Sequence, residues 1–509
     1  MEAETVDIAI VGAGLSGINT AYRVKTELPH RTYAVLESRF EIGGTWAFWK
    51  YPGIRTDSAM GLFGFPWRPW PYDANMADGP AIKAYMEECA AAEEIDKNIR
   101  FGHRVTSARW SDDESRWILQ VEVSTREGDI VERKVLKAWW LISASGYYRY
   151  DKPLPAVIPG IDQFAGEVVH PQFWNKNVDH AGKRIVIIGS GATAVTLLPA
   201  LAKTAKSVTI LQRSPSYVFS LPRRDGVVTF LSRFMPRSWA ATIHWWQRMI
   251  VETLFVNLLL AFPGFGRWLL TAAMRRQLPA GFDVATHFSP RYNPFEQRLC
   301  FCPGGDFFNA LHRPNARIVT DTIDSVTPTG IRLASGAVLD ADMIVTATGL
   351  YFQLFSGVDI TVDSASDSAS GLDPDVNASI ADRYAWNGAM LEGVPNAGLI
   401  IGYTAFTWTP GADIRVRQLI KVIRHMEKLG AAEARPTVGA EERRRLEKRA
   451  RPAVSLSSTY MVSAHKRMPR VAGVAPWVNG ESWLGDVWRL VWGSVERGMR
   501  YRGVKEKDV

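Results

Sequence analysis

The stretch VDIAIVGAGLSGINTAYRVK, residues 6–25, decides the fold class. An apolar run typical of a buried strand leads into the motif G-x-G-x-x-G on Gly12, Gly14 and Gly17, and a helical pattern follows. Glycine is needed at such a turn because the turn is tight, the backbone approaches a pyrophosphate, and the helix packs closely on the strand. The stretch therefore predicts the start of a Rossmann-like dinucleotide-binding domain.

The next strand indicates which dinucleotide this turn would bind. The segment TYAVLES, residues 32–38, has Glu37 next to its end, 20 positions after Gly17. A carboxylate at this place accepts hydrogen bonds from ribose hydroxyls, which suits an adenosine without a 2′-phosphate. We interpret the first turn as a site for FAD or NAD.

The same pattern recurs in KRIVIIGSGATAVTLLPALA, residues 183–202. Gly189 and Gly191 occupy the first two glycine positions, and Ala194 replaces the third glycine. The recurrence predicts a second domain of the same kind.

The second strand of this repeat, SVTILQRSPS, ends in Arg213 and Ser214 instead of an acidic residue. A guanidinium can form a bidentate, charge-assisted pair with a 2′-phosphate, so the second site favours NADPH. The alternative is that Arg213 is an ordinary surface residue at a strand end. Two dinucleotide folds with opposite ribose chemistry indicate a flavoprotein that takes hydride from NADPH.

The fold class that follows is α/β, with two Rossmann-like dinucleotide-binding domains, for FAD and NADPH, and a helical insertion. The proposed division is 1–150 for the first part of the FAD-binding domain, 151–216 for the first part of the NADPH-binding domain, 217–293 for the helical insertion, 294–350 for the second part of the NADPH-binding domain, and 351–509 for the return to the FAD domain plus a basic C-terminal segment.

Composition excludes several other classes of protein. Among 509 residues, 47% are hydrophobic and 22% are charged, which is ordinary for a globular enzyme. Cys89, Cys300 and Cys302 form no C-x-x-C pair, so the sequence predicts no metal site and excludes a disulfide reductase. The longest apolar run, 250–262, is too short to span a bilayer. It could lie on a membrane, but a buried helix is the interpretation that we favour. We expect a cytoplasmic protein that binds no nucleic acid, and no pattern specifies its oligomeric state.

The net charge of +8 is concentrated near the C-terminus. Residues 435–451 and 497–507 are both strongly basic. Such segments can meet phosphates or anionic lipid, which would give peripheral membrane association. The alternative, which we favour, is a solvated helix face over EERRRLEKRA with Leu446 turned inward.

The stretch GGTWAFWKYPGIRTD, residues 43–57, resembles the fingerprint (A/G)GxWxxxx(F/Y)P(G/M)xxxD of the type I Baeyer–Villiger monooxygenases at every defined position. A second fingerprint of that family, FxGxxxHxxxW(P/D), is matched except at its last position, where Asn175 stands. The matching residues are Phe164, Gly166, His170 and Trp174. The stretches HFSPRYNPFEQRLCFCPGGDFFNAL and GYTAFTWTPGAD resemble the ethionamide-activating subgroup, and the similarity runs from about residue 5 to about residue 430.

The resemblance implies an FAD- and NADPH-dependent enzyme that uses molecular oxygen to convert ketones to esters or lactones through a flavin peroxide, and that also oxidises thioethers or thioamides. It implies that Arg298 is the cation that stabilises the anionic oxygen and that Asp57 positions and activates it. Without the resemblance, Arg298 could pair with Glu296 at the surface and Asp57 could cap a helix. His170 is implied to be a conformational residue of the link between domains, and Gln297 stands where many relatives have a lysine that grips the 2′-phosphate.

The residues predicted to bind the cofactors are Gly12, Gly14, Ser16, Gly17, Glu37, Gly44, Thr45, Trp46, Arg55, Thr56, Val105, Gly189, Ser190, Gly191, Thr193, Arg213 and Ser214. The resemblance places Gly44, Thr45 and Trp46 along the flavin, and Arg55 and Thr56 on its nicotinamide side. Val105 is implied to contact adenine through its backbone.

Two other hypotheses remain open at this stage. One is a flavin monooxygenase that oxidises only soft nitrogen or sulfur nucleophiles; the other is a membrane-associated flavoprotein. Asp57, Trp174 and Arg298 argue against the first. The second would use the basic C-terminus and the helices of 217–293 as its working surface.

Overall fold

The computed structural model describes residues 3–175, 177–363, 372–480 and 482–503. Two sheets form its centre, each with a glycine turn at the carboxyl end of a parallel strand. The prediction of an α/β fold with two Rossmann-like units is confirmed.

The first sheet combines a parallel half with an antiparallel meander. Its strands, in spatial order, are Asp359–Val362, His103–Ser111, Arg116–Ser124, Ile130–Ser143, Glu4–Val11, Tyr33–Glu37 and Ile99–Phe101, and Ala397–Leu399 pairs with Ile130–Ser143. The strand Glu4–Val11 lies between two parallel partners and is buried at Ile8, Ala9 and Ile10. Burial on both faces explains why its second half, Ile8 to Val11, is a continuous apolar run instead of an alternating one.

The second sheet is entirely parallel. Its strands, in spatial order, are Ala316–Thr320, Ser207–Gln212, Arg184–Ile188, Met343–Thr346 and Glu167–Val169. A separate antiparallel sheet of Ile323–Thr327, Gly330–Leu333 and Val338–Asp340 precedes the return to Met343–Thr346.

Helices cover both sheets and connect them. The helix Leu15–Glu27 follows the first glycine turn, and Ala192–Leu201 follows the second. The other α-helices that the structure describes outside the insertion are Thr45–Phe48, Met60–Phe63, Gly79–Ala92, Asp306–Leu311, Trp408–Leu429, Ala440–Glu447, Thr459–Ala464 and Trp483–Trp492. The helix Trp408–Leu429 packs on Leu15–Glu27, and Arg23 Nε donates to Asp413 Oδ1 at 2.7 Å. The chain therefore returns to the first sheet after crossing the second.

The insertion between the halves of the second unit contains Val227–Leu231, Arg237–Ala261, Pro263–Arg275 and Val284–His287 as helices. It also contains a short strand, Val218–Leu221, which pairs in parallel with Cys300–Pro303. Four residues are too few for a periodic signal, so sequence reasoning read this segment as helical.

The basic segment 435–451 is mostly exposed, and Arg435 is its one fully buried basic residue. Arg435 is fully buried, and its Nε donates to Glu433 Oε1 at 2.7 Å. Leu446 is buried on the inner face of the helix Ala440–Glu447. This supports the interpretation of a solvated helix face. The other basic segment, 497–507, lies outside the described residues from 504 onward.

Candidate functional site

A cavity of about 540 Å³ lies between the two units, where the first glycine turn meets the stretch 43–58. Its wall contains most of the residues that the sequence predicts for the first cofactor. They are Gly12, Gly14, Ser16, Glu37, Gly44, Thr45, Trp46, Arg55, Thr56, Asp57 and Val105, together with Thr193 and Arg298 from the second unit.

The first glycine turn provides a floor without side chains. Gly12 has φ +103°, and a Cβ on Gly17 would lie 1.8 Å from the carbonyl oxygen of Gly12. A Cβ on Gly44 would lie 2.9 Å from Gly14 Cα, so the turn and the fingerprint stretch meet backbone to backbone. Such a floor allows a pyrophosphate to approach the main chain at the N-terminus of the helix Leu15–Glu27.

Glu37 marks one end of the cavity. Its side chain is buried, Oε2 accepts from the Ala13 N–H at 2.8 Å, and Oε1 accepts from the Arg39 N–H at 2.9 Å. These bonds fix the carboxylate beside the turn, and Val105 lines the same cavity. The arrangement fits a ribose and adenine at this end.

The fingerprint stretch bridges the two units through its Tyr-Pro-Gly corner. Gly53 has φ +80°, and a Cβ there would lie 3.0 Å from the side chain of Ala200 and 3.1 Å from the carbonyl oxygen of Thr196. Both belong to the helix that follows the second glycine turn. Tyr51 is buried next to this contact, so the corner is held against the second unit while the residues after it reach the cavity.

Arg298 and Asp57 come together at the other end of the cavity. Arg298 Nε lies 3.9 Å from Asp57 Oδ2, and the two side chains are 40% and 27% exposed because they face open space within the protein. The neighbouring Asp57 raises the pKa of Arg298 well above its usual value. The guanidinium is therefore a fixed positive charge at this position.

A second, smaller cavity of about 220 Å³ begins at the same ion pair. Arg298 and Asp57 line it together with apolar side chains that include Phe219, Phe255 and Phe295. The ion pair thus stands between the large cavity and an apolar pocket, which places one cation beside both.

Glu252 lies in the wall of this pocket, although the sequence indicated only a buried helix there. Its two carboxylate oxygens accept from the N–H of Thr407 at 2.6 Å and from Thr407 Oγ1 at 2.9 Å. Burial raises the pKa of Glu252. One residue later, Trp408 Nε1 donates to Ser16 Oγ at 3.0 Å. The insertion is thereby linked to the first glycine turn. The one signal in the sequence for a special role of Glu252 is that it is an acidic residue inside an apolar run.

Arg55 forms a bidentate ion pair with Asp306, from Nη1 to Oδ2 at 2.9 Å and from Nη2 to Oδ1 at 3.1 Å. Its Nε is buried and has no hydrogen-bond partner within the described residues. The ion pair with Asp306 does not use the Arg55 Nε–H. Because Arg55 lines the large cavity, this N–H is available to a bound ligand.

The second glycine turn borders the large cavity, because Ala192 and Thr193, which directly follow Gly191, line it. Ser190 Oγ donates to the carbonyl oxygen of Ser214 at 3.1 Å, which joins the ends of the two central strands. Arg213 is exposed, and its Nη2 donates to Thr459 Oγ1 at 2.8 Å. Gly189 has φ +134°, whereas a Cβ on Gly191 would meet open space. The structure therefore brings Gly189, Ser190, Gly191, Arg213 and Ser214 into one surface, and none of these five lines the large cavity with Arg298.

The second fingerprint connects the two units. A Cβ on Gly166 would lie 2.5 Å from the carbonyl oxygen of Asp342, and Phe164 and Trp174 are buried. His170 Nδ1 accepts from the N–H of Gln172 at 3.2 Å, and burial lowers the pKa of His170.

Gln172 completes the connection, and sequence reasoning missed it. Its Nε2 donates to the carbonyl oxygens of Arg149 and Tyr150 at 2.8 and 2.9 Å, and both of these residues line the large cavity. Gln172 stands at a free position of the fingerprint, so the pattern gave no signal for it.

Comparison with known proteins agrees with this arrangement. The model of the family described as flavin-binding monooxygenase-like matches residues 5–236. The FAD-containing monooxygenase EthA of Mycolicibacterium smegmatis is 40% identical over 507 residues, which are 99% of this chain and 97% of the relative. Among solved structures, OTEMO in complex with FAD and NADP has a TM-score of 0.72 at 21% identity, covering 98% of this chain and 100% of that one. An oxidised steroid monooxygenase bound to NADP has a TM-score of 0.73 at 21% identity, covering 98% and 99%.

Proposed function

The chain belongs to the flavin-binding monooxygenase-like family, and we propose that it is an FAD- and NADPH-dependent Baeyer–Villiger monooxygenase that converts ketones to esters or lactones. The observation that carries the proposal is the position of Arg298 and Asp57 between the large cavity and the apolar pocket. One fixed cation there can serve both a cofactor and a small apolar substrate.

The large cavity fits FAD. Gly12, Gly14 and Gly44 give a floor that a pyrophosphate can approach, and Glu37 is held where it can accept from ribose hydroxyls. Ser16, Gly17, Thr45, Trp46, Thr56 and Val105 complete the set of residues that we propose for FAD. When bound, FAD supplies the electrons taken from NADPH and the activation of molecular oxygen.

Arg298 is the proposed catalytic residue. Oxygen insertion beside a ketone carbonyl develops negative charge on oxygen, and a fixed cation in a site shielded from water stabilises that charge. Arginine keeps its proton throughout, so it can stabilise the charge without giving up a proton. Asp57 is the positioning residue, because its carboxylate restrains the guanidinium. The 3.9 Å separation suits a pair that tightens when cofactor and substrate bind.

NADPH is assigned to the second unit. Arg213 and Ser214 would hold the 2′-phosphate, and Gly189, Ser190, Gly191 and Thr193 would lie along the pyrophosphate. Arg55 would face the nicotinamide side through its free Nε–H. Residues 1–150 with the return after 351 would thus bind FAD, and 151–216 with 294–350 would bind NADPH.

In this proposal, the fingerprint Phe164–Trp174 links the two units mechanically. Gln172 joins it to the cavity wall, and His170 Nδ1 holds the local turn by accepting from the Gln172 N–H, so we assign both residues a structural role. Movement of the second unit relative to the first would be transmitted along this segment.

Oxidation of thioethers or thioamides is a second proposed activity. It is supported by the full-length similarity to EthA, since an enzyme this similar is expected to accept related soft nucleophiles. We further propose a cytoplasmic location, a small-molecule substrate, and association of the protein with the membrane surface.

The proposal is tested by offering a phenyl-substituted methyl ketone and a methyl thioether together to purified enzyme with FAD, NADPH and oxygen. Ester and sulfoxide should both form in the wild type. The Arg298→Ala variant should lose ester formation more than sulfoxide formation. Sulfoxide without any ester in the wild type would instead identify an enzyme restricted to soft nucleophiles.

A further inference from the structure

The long insertion helix Arg237–Ala261 presents an apolar face to solvent. Trp239, Ile243, Trp246, Ile250 and Leu254 recur at positions i, i+4, i+7, i+11 and i+15, which is one side of a helix. Their exposed fractions run from 46% to 69%. We call these five residues the insertion face. The opposite side of the same helix is buried against the protein at Ala240, Met249 and Val256.

The insertion face continues onto the C-terminal helix Trp483–Trp492. The rings of Trp246 and Trp483 lie 5.7 Å apart, so the two helices adjoin. The C-terminal helix adds four exposed apolar side chains, which are Leu484, Trp488, Val491 and Trp492, at 55% to 71%. Exposed apolar side chains in this number on two adjoining helices mark a site of interaction with a protein or a membrane.

Charge identifies the partner as an anionic surface. Residues 227–276 contain six arginines and a single acidic residue, Glu252, whose carboxylate is turned inward onto Thr407. Five of those arginines are exposed: Arg233, Arg237, Arg267, Arg275 and Arg276. A second copy of the chain would bring these like charges together, whereas an anionic lipid surface would neutralise them. Exposed tryptophans beside arginines are typical of helices that lie in a membrane interface.

The length of the insertion helices agrees with this geometry. Within the residues that the structure describes, no single helix has the length and hydropathy of a membrane span, and Arg237–Ala261 with Pro263–Arg275 meets that test only as a pair bent by 116°. A helix with one side packed on protein and the other side apolar is arranged to lie along a surface.

The apolar pocket beside Arg298 opens next to the insertion face. Val251 lines this pocket and is also 47% exposed. Val251, Leu254 and Leu258 follow each other at i, i+3 and i+7, so one apolar stripe runs from the pocket mouth to the insertion face. Phe255 and Phe219 continue the apolar lining inward toward Arg298.

We propose that the insertion face docks on an anionic lipid bilayer and that lipophilic ketones dissolved in that bilayer enter the pocket at Val251. The docking rests on the surface alone, while the choice of ketones rests on the proposed function. Docking places the pocket mouth at the depth where such substrates concentrate, because apolar chains partition into the membrane.

The docking is tested by co-sedimentation of the FAD-loaded enzyme with vesicles of phosphatidylcholine alone or with about 30% phosphatidylglycerol at low salt. The enzyme should bind the anionic vesicles and be released in about 0.5 M salt. The double substitution Ile250→Glu with Leu254→Glu should weaken binding about tenfold or more, because it replaces buried apolar contact by like charge.

The matched control is the double substitution Ile130→Glu with Val131→Glu. These two side chains are also exposed, but they lie on the meander of the first sheet. This control should bind vesicles as the wild type does. If the insertion-face variant fails to retain FAD, Trp488→Ser on the C-terminal helix makes the same test.

Kinetics tests the route into the pocket. With a long-chain methyl ketone carried in anionic vesicles, kcat/KM should fall about tenfold in the insertion-face variant, in proportion to the lost binding. With a short, water-soluble ketone, kcat/KM should stay unchanged. An equal effect on both ketones would overturn the route.

The outcomes separate this inference from the proposed function. Vesicle binding without oxidation of any ketone would support docking and contradict the proposed function. Ketone oxidation with no vesicle binding in any lipid would overturn docking. A wild type that sediments as a dimer, and that Ile250→Glu with Leu254→Glu converts to a monomer without any effect on vesicles, would assign the insertion face to a second copy of the chain.

Discussion

The two glycine turns share one pattern but differ in how closely the protein surrounds them. In the first, the turn is closed by Gly44, and Glu37 is buried and fixed by backbone N–H groups. In the second, the space around Gly191 is open, and Arg213 lies exposed at the surface. A closed site suits a cofactor that stays bound, and an open one suits a cofactor that exchanges in each cycle. The same unit of strand, turn and helix therefore suits either a cofactor that stays bound or a cofactor that exchanges.

The difference between the turns arises from a few side chains. The first turn has Gly17 where the second has Ala194, and the first helix consequently approaches the turn more closely. At the strand end, Glu37 accepts hydrogen bonds whereas Arg213 donates them. Arg298 and Thr193 belong to the second unit but line the first cavity, so the two units meet there.

Gly17→Ala should have the largest effect, because its Cβ would lie 1.8 Å from the carbonyl oxygen of Gly12. We expect the purified variant to carry essentially no FAD. Gly191→Ala, where the added methyl group meets open space, should keep its FAD. Flavin released on denaturation and measured by absorbance reports both. If Gly17→Ala retained one FAD per chain, the close contact between Gly17 and Gly12 would not be required for FAD binding.

Arg298→Ala comes next. Removing the donor that stabilises developing charge on oxygen typically lowers the rate by about 10²–10³, and we expect that loss in ester formation. Reduction of the flavin by NADPH, followed by stopped-flow absorbance, should persist, because Arg298 is not needed for hydride transfer in this account. The control Arg291→Ala removes an exposed arginine from the same segment and should leave ester formation intact.

Arg213→Ala tests the proposed NADPH site at the second glycine turn. A charge-assisted hydrogen bond contributes about 1.5–3 kcal/mol, so KM for NADPH should rise about 10- to 100-fold. The KM for NADH should change little, because NADH has no 2′-phosphate for Arg213 to bind. Steady-state kinetics with both nucleotides provides an internal control. An equal rise for NADPH and NADH would mean that Arg213 supports the fold instead of reading the phosphate.

His170→Asn should give the smallest effect, on stability. Burial lowers the pKa of His170, so below about pH 6.5 the unfolded chain binds a proton that the native protein resists. The native state therefore loses stability as the pH falls. Asparagine can still accept from the Gln172 N–H but does not titrate, so the variant should lose less stability between pH 7 and pH 5. Thermal unfolding at the two pH values measures this. Identical slopes would show that His170 does not contribute.

Local patterns predicted the parts of the fold that follow from local chemistry. The roles of Gly12, Gly17 and Glu37 are predictable from the sequence. Gly12 and Gly17 are required where backbone atoms come into contact, and Glu37 is required at the end of a strand that faces a ribose. The antiparallel meander, 103–143, is also predictable, from its alternating apolar and polar residues. The pairing of Val218–Leu221 with Cys300–Pro303 was not, since it joins short segments about 80 residues apart.

The candidate site was only partly predictable for the same reason. The fingerprint indicated Asp57 and Arg298, but their meeting depends on a long-range arrangement of 43–57 and 294–298. Glu252 and Gln172 act through contacts across units, and nothing near them in the sequence indicates their partners. The insertion helix was read as buried, whereas one side of it is exposed, because an apolar run does not reveal which side meets protein.

The most direct test of the account is mass spectrometry of the products formed from a phenyl-substituted methyl ketone with FAD, NADPH and isotopically labelled molecular oxygen. We predict an ester that carries one labelled oxygen atom, formed by the wild type and by Arg291→Ala but not by Arg298→Ala. Consumption of NADPH that yields only hydrogen peroxide with this ketone, while a thioether is oxygenated in the same vessel, would contradict the assignment of oxygen insertion to the Arg298 site.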